Sequence, residues 1–218
     1  MNPAREADFG ALVSRSFENL WVIRLQVAVY LAVVAFFAFA MPLLGSGITG
    51  GGGFVLYLFG QYWLLQTLLK RRGLLETQAF HFFAFFALAA VLIIPILLGL
   101  AALLLPGLFL VARWIAAPAF VAGRGEGAFK AADSSYQTVR GHTAKIAGIV
   151  VMMALITSAF GTLTAGFGGL LSGVDAYRET KPLDVIGVHL LPLMLLGLSV
   201  AVYELLGPRD TMIEDVFG

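Results

Sequence analysis

Inside the apolar run LFLVARWIAAPAF, residues 108–120, stands a single guanidinium, Arg113. An arginine near the centre of a membrane-spanning helix costs about 2.5–3.5 kcal/mol on insertion scales, so it is normally turned toward a partner or a wet cavity. The chemistry open to Arg113 is anion binding, to a lipid headgroup or to an anionic substrate. The plainer alternative is structural: bonds to backbone carbonyls freed near Pro118, or to a carboxylate on a neighbouring helix. Few carboxylates are in reach, because Glu204 and Arg24 both fall near the inner face, where an ion pair between them is expected.

Other groups offer less. Asp133, Ser135 and His142 include the residue types of a hydrolytic triad, but they lie on one short helix and its flank, whereas a triad converges from separate elements. His81, His142 and His189 lack i, i+4 pairing and carboxylates at ligand spacing, so no metal is expected. The run GITGGGG lacks the Lys-Ser/Thr of a phosphate loop and reads as a flexible outer connection. With no cysteine, thiolate ligands and disulfides are excluded. HExxH, GxSxG and HxE signatures do not occur, so neither catalysis nor a cofactor is expected.

The elements that must position these residues are membrane helices. Of the 218 residues 60% are hydrophobic and 12% charged, and the mean hydropathy is +0.91, far from soluble averages. A net charge of +1 supplies no field for nucleic acid, which is not expected as a partner. A hydrocarbon core of about 30 Å takes about 20 apolar residues. Such stretches fall at about 21–44, 52–70, 80–104, 106–122, 144–171 and 185–206. The expectation is an all-α polytopic protein: an amphipathic segment over 1–20, about six transmembrane helices over 21–206, and a tail over 207–218. The first run exceeds the roughly 7–15 apolar residues of a signal peptide and reads as a retained anchor. Residues 79–122 are too long for one crossing; either Gly99 or Pro106-Gly107 turns the chain back, as two spans or as a re-entrant hairpin.

Charge orients the chain. Arg5, Arg15 and Arg24, then Lys70, Arg71 and Arg72, then Arg124, Lys130, Arg140 and Lys145, then Arg209 fall on one side, 11 of the 14 Lys and Arg residues. The other side has Arg178 and Lys181 beside Asp175, Glu179 and Asp184. The positive-inside rule then puts both termini on the cytoplasmic side of the membrane.

Two segments are neither spans nor plain loops. In EGAFKAADSSYQTVRG, about 126–141, Phe129, Ala132, Tyr136 and Val139 line one helical face, as in a helix lying on the inner surface and closed by Gly141. Lys130, Arg140 and Lys145 would each add about 1 kcal/mol to anionic-lipid contact there. DFGALVSRSFENLW repeats the pattern with Phe9, Leu12, Val13, Phe17 and Leu20, and both helices are expected to float at the interface. In the fifth span Ala154, Ser158, Thr162 and Gly166, beside Thr157, Gly161, Ala165 and Gly169, form small-residue rows that pack on a helix of this chain or of a second copy. Tyr57 with Gln61, and Tyr62 with Gln66, suit hydrogen bonds between helices.

The amphipathic start DFGALVSRSF, Arg113 followed by Pro118, the Ala131-x3-Ser135-x5-Gly141 pattern and the ending YELLGPRDTMIEDVF carry a family likeness. In these the chain resembles the bacterial YciC-like family of unknown function, related to the membrane domain fused to some glycerophosphoryl diester phosphodiesterases. Thr138 departs from it, standing where the family prefers a large apolar residue. The resemblance implies a six-helix membrane domain and no established chemistry, since the diesterase activity of the fused relatives belongs to a separate soluble domain. The function expected is that of a non-enzymatic inner-membrane protein associated with membrane lipids or with partner subunits. The alternative is a small transporter or channel with an anion site at Arg113.

Overall fold

The computed structural model describes residues 8–44, 46–102, 104–172 and 181–207, with side chains over 8–37, 53–102, 104–163 and 187–207. Among the described residues the chain is helical with no strand: α1 Phe9–Val22, α2 Arg24–Leu44, α3 Ser46–Arg72, α4 Phe82–Ala102, α5 Leu104–Trp114, α6 Ala117–Arg124, α7 Ala128–Thr138, α8 Thr143–Ser172 and α9 Lys181–Leu206. The glycine run expected as an outer connection is helical instead, as the first turns of α3. The charges expected at Arg5, Arg178, Lys181 and Arg209, and the tail, lie outside the described side chains.

Four stretches are long and apolar enough to cross a membrane: Phe82–Ala102, Leu104–Arg124, Thr143–Leu163 and Gly187–Leu206. A fifth candidate is the pair α1 and α2, bent by 72°. α3 is not among them, because Tyr57, Gln61, Tyr62 and Gln66 lower its hydropathy. The apolar block over 79–122 is two antiparallel stretches, and the chain reverses between the end of α4 and the start of α5. Neither Gly99 nor Pro106-Gly107 makes that turn; all three lie inside helices. The glycines serve packing instead: a Cβ on Gly99 would come 2.9 Å from the Gly107 Cα, and one on Gly107 would meet Leu100. Two backbones approach this closely in lipid only across such small residues.

The core gathers toward one end of the bundle. Leu64, Leu65, Leu68 and Leu69 of α3, Ala119 to Ala122 of α6, Ile146 and Ile149 of α8, and Leu198 to Val202 of α9 are buried there, while Leu97, Leu98, Leu104 and Leu105 face outward. α1 docks onto this end and does not float. Its inner face is Leu12, Ser16 and Asn19, all buried, while Phe9, Phe17 and Trp21 are exposed. The helix thus buries two polar side chains and exposes three aromatic ones, unlike a helix on a water-soluble core. It lies against Gly197 of α9, where a Cβ would fall 2.7 Å from the Ser16 carbonyl oxygen. Asn19 Nδ2 donates to the Gly197 carbonyl at 3.2 Å.

Candidate functional site

The site around Arg113 starts with a break in a helix. Pro118 has no N–H and restricts the residue before it, and α5 stops at Trp114 before α6 resumes at Ala117. A break among buried residues strands backbone polar groups that need partners within the protein. Ser135 of α7 answers it: its hydroxyl accepts the Ala116 N–H at 3.2 Å and donates to the Arg113 carbonyl at 2.9 Å. Ser135 is fully buried, with Ala131 and Val139 beside it. Gly125 and Gly141, both at positive φ, turn the chain into and out of this helix.

α7 is therefore packed against α4, α5 and α6 through its small residues. The row that packs inward is Ala131, Ser135 and Val139, with Ala132 partly buried, while Phe129 and Tyr136 of the apolar face are exposed. Lys130, Arg140 and Lys145 are exposed as well. The outward surface of α7 combines aromatic rings with basic side chains, the composition of a helix at a lipid headgroup layer.

The Arg113 guanidinium lies 4.3 Å from the Tyr136 ring centre and 4.9 Å from that of Phe109. Each contact of this kind contributes about 0.5–2 kcal/mol, but neither satisfies an N–H. Nε and Nη1 are both buried and have no hydrogen-bond partner. The freed carbonyls did not become its acceptors, because the carbonyl opened nearby is its own and Ser135 donates to it. Nor did a carboxylate: the ion pairs among the described residues join Arg15 with Glu18, Arg15 with Glu204, Arg72 with Glu18, and Arg124 with Glu76. Two oriented, desolvated donors held by aromatic rings can accept an oxyanion such as a phosphate.

The expected Arg24–Glu204 pair is replaced by Arg15–Glu204, with Arg15 Nε donating to Glu204 Oε2 at 3.0 Å and Nη2 pairing with Oε1. Arg24 instead lies over the Trp21 ring at 4.7 Å. The 72° bend after α1 carries Arg15 across to α9 and leaves Arg24 on the outer side of the elbow. Hydrogen bonds to Glu204, then to Glu18, raise the Arg15 pKa above its usual value. Arg72 Nε donates to Asn19 Oδ1 at 2.8 Å, and Arg71 Nη1 to the Val22 carbonyl at 2.6 Å. Arg124 Nε reaches Glu76 Oε1 at 2.8 Å. The basic ends of α3 and α6 thus share one end of the bundle with α1.

The triad types do not converge: Ser135 is committed to the helix break, Asp133 is exposed, and the buried His142 Nδ1 has no partner. Among the described residues, groups of three or more His, Cys, Asp or Glu able to hold a metal are absent. Of the tyrosine and glutamine pairs, Gln61 does bond between helices, donating to Tyr30 Oη at 3.2 Å, which in turn lies 3.1 Å from His189 Nδ1. Gln66 bonds Tyr62 in its own helix at 2.8 Å. In the small-residue rows of α8, Thr157 is buried, Ser158 and Thr162 are exposed, and Ala165, Gly166 and Gly169 lie outside the described side chains. Tyr30 was not foreseen: it is one aromatic ring in an apolar run, and its partner His189 is 159 residues away.

No protein-family model, curated protein or solved structure matches the chain. The family resemblance therefore rests on the sequence patterns alone.

Proposed function

We propose that this chain is a multi-pass protein of the bacterial inner membrane that associates with anionic lipid and catalyses no reaction, with a headgroup phosphate seated on Arg113. In this reading α2, α3, α4, α5 with α6, α8 and α9 make six crossings, and both termini face the cytoplasm. The low hydropathy of α3 is no obstacle, since Gln61 and Tyr62 are buried within the bundle. Basic residues gathered with α1 and α7 at one end support the orientation.

The observation that carries the reading is the pair of buried, unpartnered guanidinium N–H groups of Arg113 under the rings of Phe109 and Tyr136. Leaving a charged donor unmet is costly, and a phosphate oxygen offsets that cost. Exposed Lys130, Arg140 and Lys145 supply the longer-range attraction. Anion transport past Arg113 is the competing reading, and the helix break beside it speaks in its favour. Against it, the bundle's apolar cavity is lined by Val111, Trp114 and Ile115 of α5, and Arg113 is not part of that lining.

Lipid mass spectrometry on protein purified in mild detergent tests this. Arg113→Gln is expected to lower the enrichment of phosphatidylglycerol and cardiolipin over phosphatidylethanolamine about tenfold, the scale of a lost charge-assisted bond, with thermal stability retained. Unchanged enrichment in a well-folded variant refutes the headgroup assignment.

A further inference from the structure

A cavity of about 280 Å³ lies between α3, α4, α5, α6 and α9, away from Arg113. Most of its walls are leucine, isoleucine, valine and phenylalanine, with Pro118 and Pro192 beside them and Tyr57, Gln61, Trp114 and Ser199 as the side chains carrying polar atoms. Ser199 is buried, and its hydroxyl has no hydrogen-bond partner. A serine in a helix ordinarily bonds the carbonyl one turn back; here the donor is left free at the cavity wall. Pro118 and Pro192 line the same space, and each removes one backbone N–H from its helix. Gln61 does not drift: one of its amide N–H groups is held by Tyr30, whose ring packs against Gly60 closely enough to exclude a Cβ there.

We propose that this cavity binds an uncharged amphiphile, a single aliphatic chain carrying a hydroxyl or carbonyl oxygen, with that oxygen accepting the Ser199 hydroxyl. The volume, just below the roughly 300–1,000 Å³ of ligand pockets, admits one chain and excludes a whole phospholipid. The described lining has no Lys, Arg, Asp or Glu, so a charged head would be desolvated without compensation. A bare alkane would leave Ser199 unmet. The site shares no residue with the Arg113 headgroup reading, and either can fail alone.

Trp114 lies in the wall and serves as the reporter. Trp21 and Trp63 are the other two of the three tryptophans and are exposed on the outside of the bundle, so a Trp21→Phe/Trp63→Phe background isolates the signal. In detergent, decanol brominated at its terminal carbon is expected to quench Trp114 saturably, bromodecane and brominated decanoate more weakly. Ser199→Ala is expected to weaken the alcohol about three- to tenfold, the scale of one neutral hydrogen bond, and to leave bromodecane unchanged. Ser199→Thr keeps the hydroxyl and is expected to restore binding, while Leu196→Trp in a Trp114→Phe chain fills the space and is expected to lose competition by unlabelled decanol. Quenching that rises linearly with probe, or that is equal for alcohol and alkane in all the folded variants, overturns the proposal and reduces the cavity to a gap filled by bulk chains.

Discussion

α4 and α9 are of similar length, and each has a proline in its interior, Pro95 in one and Pro192 in the other. The apolar stretch of α4 has a mean hydropathy of 2.8 and is 11% buried; that of α9 has 1.8 and is 50% buried. The more apolar helix is the less covered one, the reverse of what water would produce. When the surroundings are acyl chains, leucine and phenylalanine gain little by leaving them, and helices are drawn together by small residues and by polar groups that need partners. α9 has both kinds: Gly197 against Ser16, Glu204 on Arg15, and His189 beside Tyr30. α4 contributes Gly99 to a close approach, and most of its remaining surface is outward-facing.

The contrast can be broken by substitutions that treat the two helices alike. Gly197→Leu drives a side chain into the Ser16 carbonyl and should cost about 3 kcal/mol, lifting α1 from α9. Leu98→Ala on the outer face of α4 deletes a large apolar group yet should cost under about 0.5 kcal/mol. Thermal unfolding in detergent measures both, and equal losses would sink the distinction. Ser135→Ala comes next, at about 2 kcal/mol, because it strips a donor and an acceptor from a buried helix break. Hydrogen exchange should show the Ala116 amide losing protection, and an unaltered Ala116 would mean that α7 is not keyed to the break. Glu204→Gln follows, at about 1 kcal/mol since Arg15 is a third exposed. A double-mutant cycle with Arg15→Gln should return most of that as coupling, fading as salt is raised.

The helical class and the clustering of basic residues were legible because both are properties of composition and order. Arg113 was legible as a problem, since a charge in an apolar run must be met by something. What met it was not. Ser135 sits 22 residues from Arg113 in the sequence, and only the folded chain shows its hydroxyl closing the break. Gly99 and Gly107 were read as turn-makers because glycine permits unusual dihedrals; in the structure they are helical and matter for their missing Cβ. Periodicity found the aromatic faces of α1 and α7, but not the rows that dock, Leu12, Ser16 and Asn19 in one and Ala131, Ser135 and Val139 in the other, because their partners lie on distant segments. The Ser199 hydroxyl gave no signal at all, since a serine in a span normally satisfies itself on its own helix.

The clasp between α1 and α9 joins residues 178 and 189 positions apart. A ribosome releases the first helix long before the last one exists, so for most of synthesis Asn19 and Arg15 are without their mates. The clasp closes only once α9 has been made: a chain stalled before residue 197 has nothing for α1 to close upon.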